Sequence, residues 1–209
     1  MFVQLFKGPV GDPVAVRLVL DEWVDRFAAV AATEGWLGST GGVTSDGTLI
    51  AVGQFEAAED ARRNGDRPGQ DEWWPSLVKL FTGPVVFRNC TAVEVGRGGG
   101  DPRARFVQVV EGRTSDIARM RALGARVDEV LVGTRPDLLG LVVALHDEEP
   151  GRFTQVAYFT DEQAARQQER ALSGPAAELF AEMSTIVSDV TYLDLAAPWL
   201  DWPPETAAP

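Results

Sequence analysis

Residues 2–8 read FVQLFKG, and residues 106–112 read FVQVVEG. A chain that writes the same strand twice, 104 residues apart in a length of 209, is constrained before any other feature is weighed. Sliding the sequence on itself by that interval pairs Phe2, Val3 and Gln4 with Phe106, Val107 and Gln108. The same offset matches Gly8 with Gly112, Asp12 with Asp116, Arg17 with Arg121, Leu37 with Leu141 and Gly47 with Gly151. It continues through Val52 and Val156, Phe55 and Phe159, and Ala61 and Ala165, to Arg62 and Arg166. That makes 12 identities over residues 2–62, where composition alone gives roughly 4–5, and self-similarity at fixed spacing is a signature of duplication. Beyond residue 62 an offset of 100 aligns TAVEV (91–95) with TYLDL (191–195), which assigns four extra residues to the first copy within 63–90.

Each copy reads as strand, helix, strand, strand, helix, strand. Residues 2–7 alternate with both faces largely apolar, as in a strand covered on both sides. Asp12-Pro13 is an N-cap followed by a first-turn proline, and Val16, Leu20, Trp23, Phe27 and Val30 then recur at helical spacing. TSDGT (44–48) is a turn between two strands. Helices at about 56–64 and 72–81 precede a last strand, FRNCTAVEV, ending near residue 95. Thr160 and Gln163 form a capping box in the second copy.

This order is the split β-α-β-β-α-β unit, a four-stranded antiparallel sheet with helices on one face. The opposite face is on the order of 300 Å², about the largest apolar patch a monomer leaves in water. Pressing a second copy against it removes that exposure. The expectation is α+β: two ferredoxin-like halves, 1–95 and 105–195, packed sheet to sheet, with 96–104 as linker and 196–209 as a Pro-rich, frayed tail tacked down at Trp199 and Trp202. Such a chain would be a monomeric pseudo-dimer or a weak homodimer.

The net charge of −12, shared between the halves as −4 and −8, argues against nucleic acid and anionic membranes as partners. Cys90 is the lone cysteine, which fits a reducing cytoplasm, and it reads as a buried inert thiol. No apolar run reaches the length of a membrane span, and the N-terminus lacks a signal-peptide pattern.

The arrangement resembles the dimeric α/β-barrel superfamily, in particular its antibiotic-biosynthesis-monooxygenase-like branch. The stretch GWLGSTGGVTSDGTLIAVGQFEAAEDARRNGDRPGQDEWW (35–74) resembles a tandem actinobacterial subgroup sharing an ARRN–DRP–WW pattern. The resemblance covers the chain to about residue 195. It implies the fold, and a cofactor-independent monooxygenase-like activity on a small apolar or aromatic molecule. Two other readings stand beside it: a non-catalytic ligand binder, and a structural or partner-binding barrel. Fold alone does not choose among them, and no acid–base residue stands out as catalytic.

Candidate ligand contacts lie mainly in ARRNGDRPGQDEWW (61–74), which the second copy replaces with Gln, Glu and Ala. Trp36, Asn64, Arg67 and Trp73 or Trp74 are the residues expected to line a pocket in the first half only, with Leu141, Leu172 and Leu179 filling the equivalent space in the second. Adjacent tryptophans on a helix point about 100° apart, so one of the pair is expected in the pocket and the other in the core. The bland alternative is a helix end, where Arg62 and Arg63 complement the dipole and Asp66, Asp71 and Glu72 neutralise the arginines. Gln4 is a further candidate. Relatives in the branch carry a polar residue near this strand position, while its repetition as Gln108 suggests an amide pair across the pseudo-twofold. His146, the only histidine, reads as a solvated turn residue and not a haem or metal ligand. No metal or cofactor is expected. GRGGGDPR (96–103) lacks the Lys-Ser/Thr of a phosphate loop.

Overall fold

The computed structural model describes residues 1–131 and 134–203. Contacts divide the chain into two compact units: Met1–Thr91 together with the chain end from Trp199, and Ala92–Pro198.

In the first unit β1 (Phe2–Pro9) leads to α1 (Pro13–Trp23), a five-residue π-turn (Val24–Ala28) and α2 (Ala29–Thr33). β2 (Trp36–Val43), β3 (Thr48–Phe55), α3 (Ala58–Gly65), α4 (Gln70–Val78) and β4 (Val86–Cys90) follow. The second unit opens with β5 (Ala92–Gly96). It continues through β6 (Phe106–Thr114), α5 (Ile117–Leu131), β7 (Leu138–Leu145), β8 (Arg152–Phe159), α6 (Glu162–Arg170), α7 (Gly174–Ser184) and β9 (Val187–Leu195). The chain then returns to the first unit as β10 (Trp199–Asp201). The two antiparallel sheets have strand orders β10-β2-β3-β1-β4 and β5-β7-β8-β6-β9. Each is a ferredoxin-like four-stranded sheet with a fifth strand added at the edge of β2 or β7.

Local chemistry accounts for the element starts. Asp12 caps α1, its carboxylate accepting from the amides of Val14 and Ala15 at 3.0 and 3.1 Å, with Pro13 in the first turn. The cap of α6 is Asp161, which accepts from Ala164 at 2.7 Å, one residue beyond the expected Thr160. The stripe begun by Val16, Trp23 and Phe27 does not reach Val30, which is 48% exposed. The π-turn inserts extra backbone per turn and rotates the following residues, so Ala28 and Ala31 take the inward positions.

The expected boundaries move. FRNCTAVEV is two strands in two sheets: Val86–Cys90 pairs with β1, and Ala92–Gly96 pairs with β7. Residues 92–95 therefore belong to the second unit, and the passage between units is at Thr91. The segment read as a linker is a loop of the second unit, with Asp101 buried and paired to Arg103. Trp199 and Trp202 do anchor the chain end, in strand pairing with β2 and on Gly38. The expected fraying of residues 204–209 lies outside the described residues.

Sheet register also corrects the alignment of the two copies. Gly38 and Gly140 occupy the same place, each just after a register shift opposite β3 or β8. Leu37 therefore corresponds to Leu139 and not to Leu141. The turn after β7 is longer than the one after β2, which restores the 104-residue interval at Phe55 and Phe159. At the last strand Asn89 and Asp194 both lie opposite the repeated glutamine. VFRNC is thus the counterpart of TYLDL, and the four extra residues assigned to the first copy do not exist. Thirty-five residues separate Phe55 from Cys90, and 36 separate Phe159 from Leu195.

Candidate functional site

On the helix-facing side of the first sheet, directly opposed residues form rows, because partners in antiparallel strands point to one face. One row runs Ser39, Gly53, Gln4, Asn89 and the next Gly41, Ala51, Phe6, Phe87. Four of these residues are small, and the space they leave beneath the helices is not filled by other side chains. A cavity of about 420 Å³ results, within the range of about 300–1,000 Å³ that holds small ligands.

Its walls are aromatic. Trp23 and Trp36 meet edge to face at 5.4 Å, and Trp74 meets Phe6 in the same way at 5.4 Å and lies 5.5 Å from Phe87. Trp73 and Trp199 complete the aromatic lining. The π-turn starts at this wall, since Trp23 and Val24 both face the cavity. Polar groups come from Gln4, Ser39, Thr40, Asn64, Gln70, Asp71 and Asp201. Ser39 already accepts from the Trp36 indole at 3.0 Å, and Asp201 is held by Arg17. Asn64 and Gln70 differ from these. Their Oδ1 and Nε2 atoms are covered and have no hydrogen-bond partner among the described residues, and Gln70 is only 7% exposed. Buried amides without partners cost on the order of 1–3 kcal/mol each.

Five of the six expected contact residues border this cavity: Gln4, Trp36, Asn64, Trp73 and Trp74. Arg67 does not, because its guanidinium turns away to Glu34 at 2.6 Å. Arg62 and Arg63 are likewise engaged, with Asp66 at 3.1 Å and with Asp60. Both tryptophans of the adjacent pair line the cavity, contrary to the expectation of one. Trp73 is also core, donating its indole N–H to the Val19 carbonyl at 2.7 Å, while Trp74 leans over Phe6.

Gln4 and Gln108 each bond within their own sheet. Gln4 donates to Asn89 at 3.1 Å and Gln108 to Asp194 at 3.1 Å, each to the residue directly opposite on the neighbouring strand. His146 is 7% exposed and not solvated. The turn that begins at His146 folds back, its backbone amide donating to Arg152, and the ring Nε2 lies 2.8 Å from the Thr154 hydroxyl. Cys90 is buried.

In the second unit the small residues are replaced. Ser39, Gly41, Ala51 and Gly53 correspond to Leu141, Val143, Gln155 and Ala157. Leu141 and Leu172 pack against a core of Phe106, Leu138, Ala157 and Phe159. Leu179 is also buried, in the neighbouring cluster with Met120 and Leu123.

Sequence reasoning missed the small-residue rows, Gln70, Phe6, Trp23 and the chain-end pair Trp199 and Asp201. A signal existed: STGG and AVG in the first copy stand against LVVA and QVA in the second.

The fold matches solved structures at low identity. A candidate monooxygenase from Fusobacterium nucleatum aligns over 96% of this chain and 94% of its own, with a TM-score of 0.76 and 7% identity. A candidate monooxygenase from Lactobacillus acidophilus aligns over 95% and 98%, with a TM-score of 0.71 and 10% identity. An anthrone oxidase-like protein aligns over 95% and 92%, with a TM-score of 0.61 and 12% identity. No protein-family model and no curated protein matches the sequence. Among the described residues, no helix is long and apolar enough to cross a membrane.

Proposed function

We propose that the protein binds a small, flat, mostly apolar molecule in the first unit's cavity and acts on it as a cofactor-independent oxygenase. The observation that carries this reading is the unequal treatment of one sheet surface. Ser39, Gly41, Ala51 and Gly53 leave space under the helices, where the second copy has larger side chains at each position. Selection for stability alone gives no reason to keep such a space, since filling a cavity is stabilising. The aromatic walls favour a flat ring system, and the amide side chains lining the cavity, Gln4, Asn64 and Gln70, favour one carrying a carbonyl or hydroxyl at its edge. The oxygenase part draws support from the monooxygenase names of structures sharing the fold, which is analogy.

A non-catalytic binder is the second reading. It is favoured by the lining carboxylates: Asp201 is tied to Arg17, and Asp71 is exposed. Neither is positioned as a general base by a neighbouring group.

Anthrone, a three-ring ketone taken from the name of one structural neighbour, tests the choice. Oxidising its ring CH₂ to a carbonyl consumes one O₂ and releases one water. Oxygen uptake that depends on both protein and anthrone, and falls in Trp74→Ala, supports the oxygenase. Quenching of tryptophan fluorescence without oxygen uptake supports the binder. Neither response would refute both.

A further inference from the structure

The charges around the cavity are uneven. Two carboxylates line it, Asp71 and Asp201, and among the described residues no lysine, arginine or histidine does. Asp201 is matched by Arg17, which holds it with both terminal nitrogens at 3.0 Å. The other arginines between β1 and β4 are also taken: Arg26 by Glu22 at 2.7 Å, Arg62 by Asp66 at 3.1 Å, Arg63 by Asp60, and Arg67 by Glu34 at 2.6 Å. Lys79 is exposed eight residues beyond Asp71, about 12 Å along the helix. Lys7 and Arg88 sit next to Phe6 and Phe87 in their strands and so belong to the opposite face of the sheet. The Asp71 carboxylate takes no ion pair or hydrogen bond among the described residues. It is the one charge at the cavity that no neighbour in the described residues neutralises.

We infer that the ligand of this cavity is a ring compound bearing a protonated amine, with the ring inside and the ammonium at the mouth beside Asp71 and Trp74, and that rings bearing a carboxylate are rejected. This rests on the ligand site proposed above and adds the charge class of what enters it. Asp71 stands where the cavity meets solvent, since Gln4, Gly65, Asp71 and Phe87 are its exposed lining residues. Asp71 and Trp74 are three residues apart on α4 and so share one side of the helix, and Trp74 lies 5.5 Å from Phe87. Aromatic ring faces carry negative potential and attract cations, most strongly at tryptophan. A carboxylate beside two such rings suits an ammonium group and repels an anion. An acid in a first helical turn also complements the dipole, but Glu72 does this one residue on without bordering the cavity.

Displacement of N-phenyl-1-naphthylamine, a neutral aromatic probe that brightens on burial, tests the inference. Three competitors share one ring system at neutral pH: 1-naphthylmethylamine as cation, 1-naphthylmethanol as neutral form and 1-naphthoate as anion. The amine is expected to displace the probe at roughly threefold lower concentration than the alcohol, the factor of an exposed ion pair. Naphthoate should require at least about fivefold more than the alcohol, because it brings like charges together. In Asp71→Asn the amine and the alcohol should become nearly equal. Asp66→Asn removes an equal charge outside the lining and should keep the wild-type ratio. Naphthoate displacing the probe as readily as the amine, or an amine preference that Asp71→Asn leaves unchanged, overturns the charge class while leaving the site intact. No brightening in the wild-type protein overturns the site and the charge class together.

Discussion

Arg17 spans 184 positions of sequence to hold Asp201 at 3.0 Å, and the contact has a repeated counterpart. Arg121, its equivalent in the second copy, holds Glu94 on β5 at 2.9 Å. In each unit the same helix arginine reaches the added fifth strand. This explains why Arg17 and Arg121 are among the identities that survive between two diverged halves. Hydrogen bonding to Asp201, aided by the nearby carboxylates, raises the Arg17 guanidinium above its ordinary value, so the cation persists at any pH the fold tolerates. Replacing Arg17 by Met is expected to raise amide exchange at Leu200 and Asp201 while lowering global stability by only about 1 kcal/mol. A loss of protection spread evenly over β1 and β3 would show that the arginine holds the whole unit.

Gly38 is the second restraint on β10. It has φ of +141°, and a Cβ there would lie 2.1 Å from the Trp202 ring. Gly38→Ala should cost about 2 kcal/mol or more, through backbone strain and displacement of the ring. Gly124 is the contrasting case, exposed within α5 with nothing near its Cβ position. Gly124→Ala should stabilise the protein by about 0.5–1 kcal/mol. Thermal denaturation of the two variants checks both signs.

Asp101 sets a pH dependence for the second unit. The hydrogen bond from Arg103 holds its carboxyl below the ordinary 3.8, against the opposing effect of burial. A depressed folded-state pKa contributes stability that is fully present above the unfolded value and lost as pH falls through the folded one. Acid unfolding followed below pH about 4 should therefore be less steep in Asp101→Asn than in wild type. Parallel curves would remove Asp101 from the acid transition.

Gln70 separates stability from binding. Its side chain is buried with Nε2 unpartnered among the described residues, so Gln70→Leu should be neutral or stabilising by up to about 1 kcal/mol. The same change should weaken ring ligands that carry a hydroxyl or carbonyl more than bare hydrocarbons of equal size. Arg67→Ala should leave probe affinity nearly unchanged, because Arg67 serves Glu34 and not the cavity. Fluorescence titrations with 1-naphthol and naphthalene distinguish these outcomes.

The duplication was readable because strand identity and helix caps are local: FVQ, Asp12-Pro13 and the TSDGT turn each specify their own element. The features hidden from the sequence are non-local. Leu37 aligns with Leu141 in the sequence because a shorter lead-in to β7 and a longer turn after it cancel, which only sheet register reveals. FRNCTAVEV reads as one continuous strand, and nothing in it marks Thr91 as the point where pairing passes to another sheet. The arginines of ARRNGDRP stand out by charge, yet charge at a helix end is met by local acids. The cavity was instead set by residues with little side chain, Gly41 and Gly53 among them, whose meaning appears only when their neighbours are known.

The claim that the first unit's cavity is a ligand site is met most directly by a crystal structure of the protein with N-phenyl-1-naphthylamine. The expected result is one probe molecule stacked among Trp36, Trp73 and Trp74 over Ser39 and Gly53, with no second molecule on the corresponding surface of Leu141 and Ala157. A probe bound equally in both units, or only on the outer surface while Trp74 stays packed on Phe6, would contradict it.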